Sequence, residues 1–136
     1  MNIKRAIGVG VLTYVVSFII GLIVMIAMGI DPLQASEIPQ SAFIVNIVIT
    51  IILAGFFTLF YFNDRKIKPN AYEGFMFGVV LVVIGFVFDV VMFFIGSVFA
   101  GSKVDIATYY SNPLFWIALF LFIVTTTLVG AFRGKR

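Results

Sequence analysis

Residues 70–101 read NAYEGFMFGVVLVVIGFVFDVVMFFIGSVFAG, and this one segment settles the class of fold. Between Tyr72 and Ala100 the text is almost wholly apolar, with a single acid, Asp89, near its middle. As a helix it would be about 42 Å long, more than the ~30 Å of a bilayer's hydrocarbon core, so it has to tilt or project beyond it. Gly74, Gly78, Gly85, Asp89 and Gly96 stand at offsets 0, 4, 11, 15 and 22. At about 100° per residue these positions fall within roughly 60° of one another, so four glycines and the deep carboxylate share a face. In lipid a glycine face lets another backbone come close. An ionisable group on it is costly to bury and marks a position of interest.

The rest of the chain has the same character. Of 136 residues, 62% are hydrophobic and only 11% charged, with a mean hydropathy of +1.20. Soluble domains are nearer half apolar and a quarter charged. Four apolar runs, at about 6–30, 41–62, 71–100 and 113–132, are long enough to cross a bilayer. The expectation is an all-α, polytopic membrane protein: one transmembrane domain over residues 1–136, built as a bundle of four transmembrane helices. The net charge of +3 is no nucleic-acid footprint, because its carriers are sorted. Lys4, Arg5, Arg65, Lys66, Lys68, Arg133, Lys135 and Arg136 belong to the termini and the middle loop, and only Lys103 lies elsewhere. By the positive-inside rule both termini are cytoplasmic and the location is the cell membrane. Cysteine and histidine are both absent, which excludes disulfides, thiol chemistry, the usual zinc ligand sets and a Ser-His-Asp triad.

In chain order, the first run follows a short basic leader. Ala27-Met28-Gly29 resembles a signal-peptide cleavage site, but about 24 apolar residues exceed the ~7–15 of a signal core, so a retained span is expected. Gly10, Ser17, Gly21 and Met28 share one of its faces, and Ser17-xxx-Gly21 is a small-xxx-small packing pair. Asp31-Pro32 has the pattern of a cap followed by a first-turn proline, so a short interfacial helix is expected there. In the second run Asn46 and Thr50 lie one turn apart on one side, as interhelical glue or as ligands. Asn70-Ala-Tyr-Glu73 has the spacing of a capping box, which places Glu73 at a helix terminus near Arg65, Lys66 and Lys68. Ser102-Lys-Val-Asp105 has the pattern of a cap for a second outer helix, with Tyr109 and Tyr110 as interfacial anchors. Asn112 and Pro113 open the last run, Trp116 lies near its outer end, and the hydroxyls of Thr125, Thr126 and Thr127 can bond their own helix.

The halves 1–68 and 69–136 follow one plan, and an offset of 68 aligns Gly10 with Gly78, Val15 with Val83 and Phe18 with Phe86. A 2+2 parallel repeat about an axis along the membrane normal is one reading of that alignment. Counting inward from the outer side places Asp89, Thr50, Ser17 and Thr125 within about a turn of one depth, with Asn46 a turn further out. No Lys, Arg or His reaches that level. Asp89 is therefore expected in its neutral form, donating to a hydroxyl or amide. It acts either as a staple between helices or as a proton- or ion-linked group.

Glu73-Gly-xxx-Gly78 through Asp89, followed by Asp105-Ile-Ala-Thr-Tyr-Tyr-Ser111, resembles a group of small, uncharacterised four-helix membrane proteins of bacteria and archaea. The likeness covers roughly residues 70–130 and implies the four-span fold and a role for the Asp face, but no activity. Catalytic, metal-ligating and cofactor-binding residues are not expected: an intramembrane aspartic protease needs two carboxylates in one site, and one chain supplies one. The leading expectation is an interaction or assembly subunit acting by helix packing through Gly10, Gly21, Gly74, Gly78, Gly85 and Gly96. Its partners would be the lipid bilayer and a homo-oligomer or larger membrane complex, with no nucleic acid. The alternative is a proton- or cation-linked small transporter or channel organised around Asp89, with Asn46, Thr50, Ser17 and Thr125.

Overall fold

Each helix start but one carries a polar side chain on a free backbone N–H, as a chain without water to spare requires. In the computed structural model, which describes residues 1–35, 37–101 and 105–135, helix α1 spans Ile3–Ala27 and α2 spans Gln40–Tyr61. Helix α3 spans Ala71–Phe99, α4 Ile106–Ser111 and α5 Pro113–Arg133. The side chains of Asn2, Asn70, Asp105 and Asn112 accept from N–H groups in the first turns of α1, α3, α4 and α5. Helix α2 follows Pro39 with no side-chain cap. Two stops use left-handed glycines, Gly29 (φ 74°) after α1 and Gly101 (φ 64°) after α3.

Four of the helices (α1, α2, α3 and α5) are long and apolar enough to cross a membrane, so the chain is a multi-pass membrane protein folded as a four-helix bundle. The helices begin and end within three residues of the four apolar runs, the largest shift being at α1, which starts and ends earlier. The interfacial helix expected at Asp31-Pro32 is a single turn instead: the Asp31 carboxylate caps Leu33 N at 2.9 Å, and the turn ends without propagating. The second outer helix does form, as α4, capped by Asp105. Ser102, Lys103 and Val104 of the expected cap lie outside the described residues.

The bundle is a ring in which α1 touches α2, α2 touches α5, α5 touches α3 and α3 touches α1. A two-fold along the bundle axis would set α1 opposite α3 and α2 opposite α5. Those pairs are neighbours here, so the ring does not carry the symmetry of a parallel 2+2 repeat. The densest packing is at the end that gathers both termini and the α2–α3 turn, where Ala6, Val9, Phe57, Tyr61, Phe62, Ile67, Phe77 and Leu81 form the core. Tyr61 and Phe77 are fully buried and stack at 4.2 Å between ring centroids. Around this interior the outward faces are apolar, with Ile23, Ile52, Phe94 and Phe120 all more than half exposed, as a lipid solvent demands.

Helices α3 and α5 close along a line of small residues. A Cβ on Gly74 would collide with the Thr126 carbonyl oxygen, one on Gly78 with the Thr126 hydroxyl, and one on Gly130 with the Asn70 carbonyl. Gly10 of α1 leaves room for the side chains of Ile84 and Leu81 of α3. Gly21 lies against Asn46, whose Oδ1 would be 3.6 Å from a Cβ placed there. Gly85 breaks the expectation of one packed glycine face, because nothing lies within 4 Å of where its Cβ would be. The stripe on α3 is straight, whereas α5 meets α3 at Gly74 and Gly78. By Gly85, two turns on, α5 no longer covers it.

Candidate functional site

Asp89, the carboxylate within the spanning part of α3, is held by tyrosines. Tyr14, midway along α1, donates its hydroxyl to Asp89 Oδ1 at 2.9 Å, while its ring stacks on Phe88 at 4.8 Å. Tyr110 of α4 donates to Asp89 Oδ2 at 3.4 Å. Each carboxyl oxygen therefore has its own phenolic donor, one from a spanning helix and one from the short outer helix. In hydrocarbon a phenol needs such a partner as much as the acid does.

The position of α4 makes the second bond available. The chain folds back after α3, so α4 lies over the end of the bundle with its aromatic side chains inside. The Tyr109 ring lies 5.6 Å from Phe43 of α2, 5.4 Å from Phe93 of α3 and 5.3 Å from Phe115 of α5. Tyr110 packs edge-on to Phe115 at 4.7 Å and against Phe86 at 5.6 Å. Trp116 Nε1 donates to the Tyr110 carbonyl at 2.9 Å and ties α4 to α5. Burial first, and then the nearby Asp89 carboxyl, push the Tyr110 phenol up to about 12. The same causes in the same order push Tyr109 up further.

The polar residues expected beside Asp89 are not the ones that touch it. Thr125 donates to Leu121 O at 2.8 Å, within its own helix. Ser17, Asn46 and Thr50 make no side-chain hydrogen bond among the described residues, and Asn46 faces Gly21 across the α1–α2 seam. The depth count placed these groups at one level but could not place them at one azimuth, and it treated Tyr109 and Tyr110 as surface anchors. Tyr14 was missed in the sequence, where the signal that could have found it is that it is the sole tyrosine of the first span.

A second carboxylate, Glu73, is buried at the other end. Its backbone N–H bonds Asn70 Oδ1 at 2.8 Å, which forms one limb of the expected capping box. The carboxylate does not return to Asn70, nor does it meet Arg65, Lys66 or Lys68. It accepts the Tyr61 hydroxyl at 2.7 Å and pairs with the Met1 amino group at 3.3 Å. Glu73 does stand in the first turn of α3, as expected, but with other partners than the three basic residues. The reason is that α3 begins against Tyr61, inside the core, and its first turn is already covered. Arg5 closes this end, bonding the Tyr61 and Phe60 carbonyls at 3.0 and 2.8 Å and approaching Asp64 at 3.9 Å.

No protein family, curated protein or solved structure matches this chain. A functional reading therefore stands on the geometry of the bundle alone.

Proposed function

We propose that the protein is a small integral membrane protein of the cell membrane, with both termini cytoplasmic, that acts by helix packing as an interaction or assembly subunit. The observation that carries this reading is the closure of Asp89: each of its two oxygens accepts from a tyrosyl hydroxyl. A carboxyl occupied in this way fastens α1 and α4 onto α3 and needs no substrate to explain it. Gly8 and Gly85 add to the reading. Neither has a neighbour within 4 Å of a would-be Cβ, so both leave bare backbone where a further helix can approach. Self-association and docking on a larger membrane complex both fit that arrangement.

A second reading, a proton- or cation-linked small transporter or channel around Asp89, is favoured by one feature. Tyr110 belongs to a six-residue helix, α4, whose withdrawal would uncover the carboxyl. Purified protein in liposomes separates the two. The assembly reading predicts no proton or cation flux under an imposed gradient, and the same oligomer in wild type and Asp89→Asn by crosslinking in native membranes. Flux in wild type that disappears in Asp89→Asn would replace it with the transport reading.

A further inference from the structure

Where the C-terminal ends of α2 and α5 come side by side, a groove of about 240 Å³ opens onto the lipid-facing surface. Its lining changes character along the helix axis. Phe56, Leu59 and Phe60 line it as an apolar floor along α2, and Asn63 and Arg133 line its polar end, beyond the last turn of α2 and at the end of α5. From Phe56 to Asn63 is seven residues, so the groove runs about 10 Å along the helix axis, from the membrane–water interface into the hydrocarbon. We propose that this groove binds an anionic phospholipid, with its phosphate on Arg133 and Asn63 and the upper part of one acyl chain along Phe56, Leu59 and Phe60.

Charge argues for an anionic headgroup over a neutral one. At this end of the bundle Lys4, Arg65, Lys66, Lys68, Arg133 and Lys135 all stand exposed. The two acids there are engaged, Asp64 near Arg5 at 3.9 Å and Glu73 with Tyr61 and the Met1 amino group. Arg5 is engaged as well, its guanidinium on the Phe60 and Tyr61 carbonyls and 5.5 Å from the Phe60 ring. Arg133 has no hydrogen bond or ion pair among the described residues, and its planar fork suits a phosphate better than a lysine would. The apolar floor argues for a lipid over a soluble anion, since a free phosphate has nothing to lay against two phenylalanines and a leucine.

Native mass spectrometry of the full chain, delipidated in detergent and titrated with phosphatidylglycerol or phosphatidylcholine, tests the site. Phosphatidylglycerol should be retained about tenfold more strongly, in line with a charge-assisted contact. Arg133→Gln should bring retention down to that of phosphatidylcholine, while Lys66→Gln, at the same end but outside the groove, should leave it unchanged. Leu59→Trp keeps the charge and fills the groove, so it should lower phosphatidylglycerol retention severalfold. Equal retention of the two lipids, equal losses in Arg133→Gln and Lys66→Gln, or no loss in Leu59→Trp would each overturn the proposal, the second by showing only a diffuse basic surface. Arg133 and Leu59 are both exposed, so folding of these variants can be verified by helical circular dichroism before the titration.

Discussion

Tyr14 on α1 and Asp89 on α3 meet at 2.9 Å, and theirs is the only side-chain to side-chain hydrogen bond between two spanning helices in the outer half of the bundle, among the described residues. It holds α1 against α3 beyond the point where Gly10 receives Ile84. With Tyr110 on the other oxygen, three elements converge on one carboxyl.

This convergence predicts a graded mutant series. Tyr14→Phe keeps the stack on Phe88 and removes one donor, and should cost about 0.5–1.5 kcal/mol. Asp89→Asn should be close to wild type, because its amide still offers an acceptor to one phenol and a donor to the other. Asp89→Leu strands two hydroxyls and should cost roughly 2–4 kcal/mol. Added to Tyr14→Phe, it should cost less, since one stranded group is already gone. Unfolding in mixed micelles measures all four proteins, and additive losses would show that the two residues are not coupled.

The glycines divide into two kinds with opposite expectations. Gly78→Leu pushes into the Thr126 hydroxyl and should force α3 from α5, destabilising the bundle by roughly 1–3 kcal/mol. Gly85→Leu meets open space and should leave the monomer's stability unchanged or slightly raised, since glycine is a poor helix former. Thermal melts of the two variants decide it, and a Gly85→Leu protein as damaged as Gly78→Leu would mean that α3 is covered there.

The class of fold was legible in the sequence because a run of apolar residues about 20 long has one stable form in lipid. The caps at Asn70 and Asn112 were legible for the same kind of local reason, and so was the second short helix, though its cap is Asp105. What the one-dimensional pattern could not supply was azimuth and crossing. A wheel drawn on α3 puts Gly78 and Gly85 together, yet α5 covers the first and leaves the second. A depth count puts Thr125 level with Asp89, yet its hydroxyl turns back to Leu121. Tyr110 reaches Asp89 because α4 folds inward over the bundle, and Glu73 is buried because α3 starts against Tyr61. Both outcomes depend on how helices meet, because Tyr110 and Tyr61 belong to other helices than the acids they bond.

Topology can be read chemically. Charge sorting predicts that Lys66 and Lys135 lie on the cytoplasmic side and Lys103, outside the described residues, on the other. Single cysteines at these positions in a cysteine-free chain should react with an impermeant thiol reagent from the corresponding faces of sealed vesicles. Labelling of the Lys66 and Lys103 substitutions from one side would be incompatible with four spans.

The docking of α4 should depend on alkali in a defined direction. In the folded protein the Tyr110 phenol is pushed up to about 12, against about 10 for a free tyrosine. Below about pH 10 the phenol is protonated in both states, and its contribution to docking is complete. Between about 10 and 12 the undocked form loses its proton first, so it binds fewer protons than the docked form and stability falls as pH rises. The cause is physical and local: a phenolate there would be partly buried and would face the Asp89 carboxyl from α3, with Tyr109 beside it on α4. Lysines titrate over the same range, so the comparison has to be a difference. Tyr110→Phe removes the phenol while keeping the ring against Phe115 and Phe86, and its melting temperature should fall less steeply over that interval than that of wild type. Trp116 is the single tryptophan and donates to the Tyr110 carbonyl at 2.9 Å, so its emission reports on α4 directly. Wild type and Tyr110→Phe declining in parallel would mean that the Tyr110 hydroxyl is solvated and does not hold α4 to Asp89.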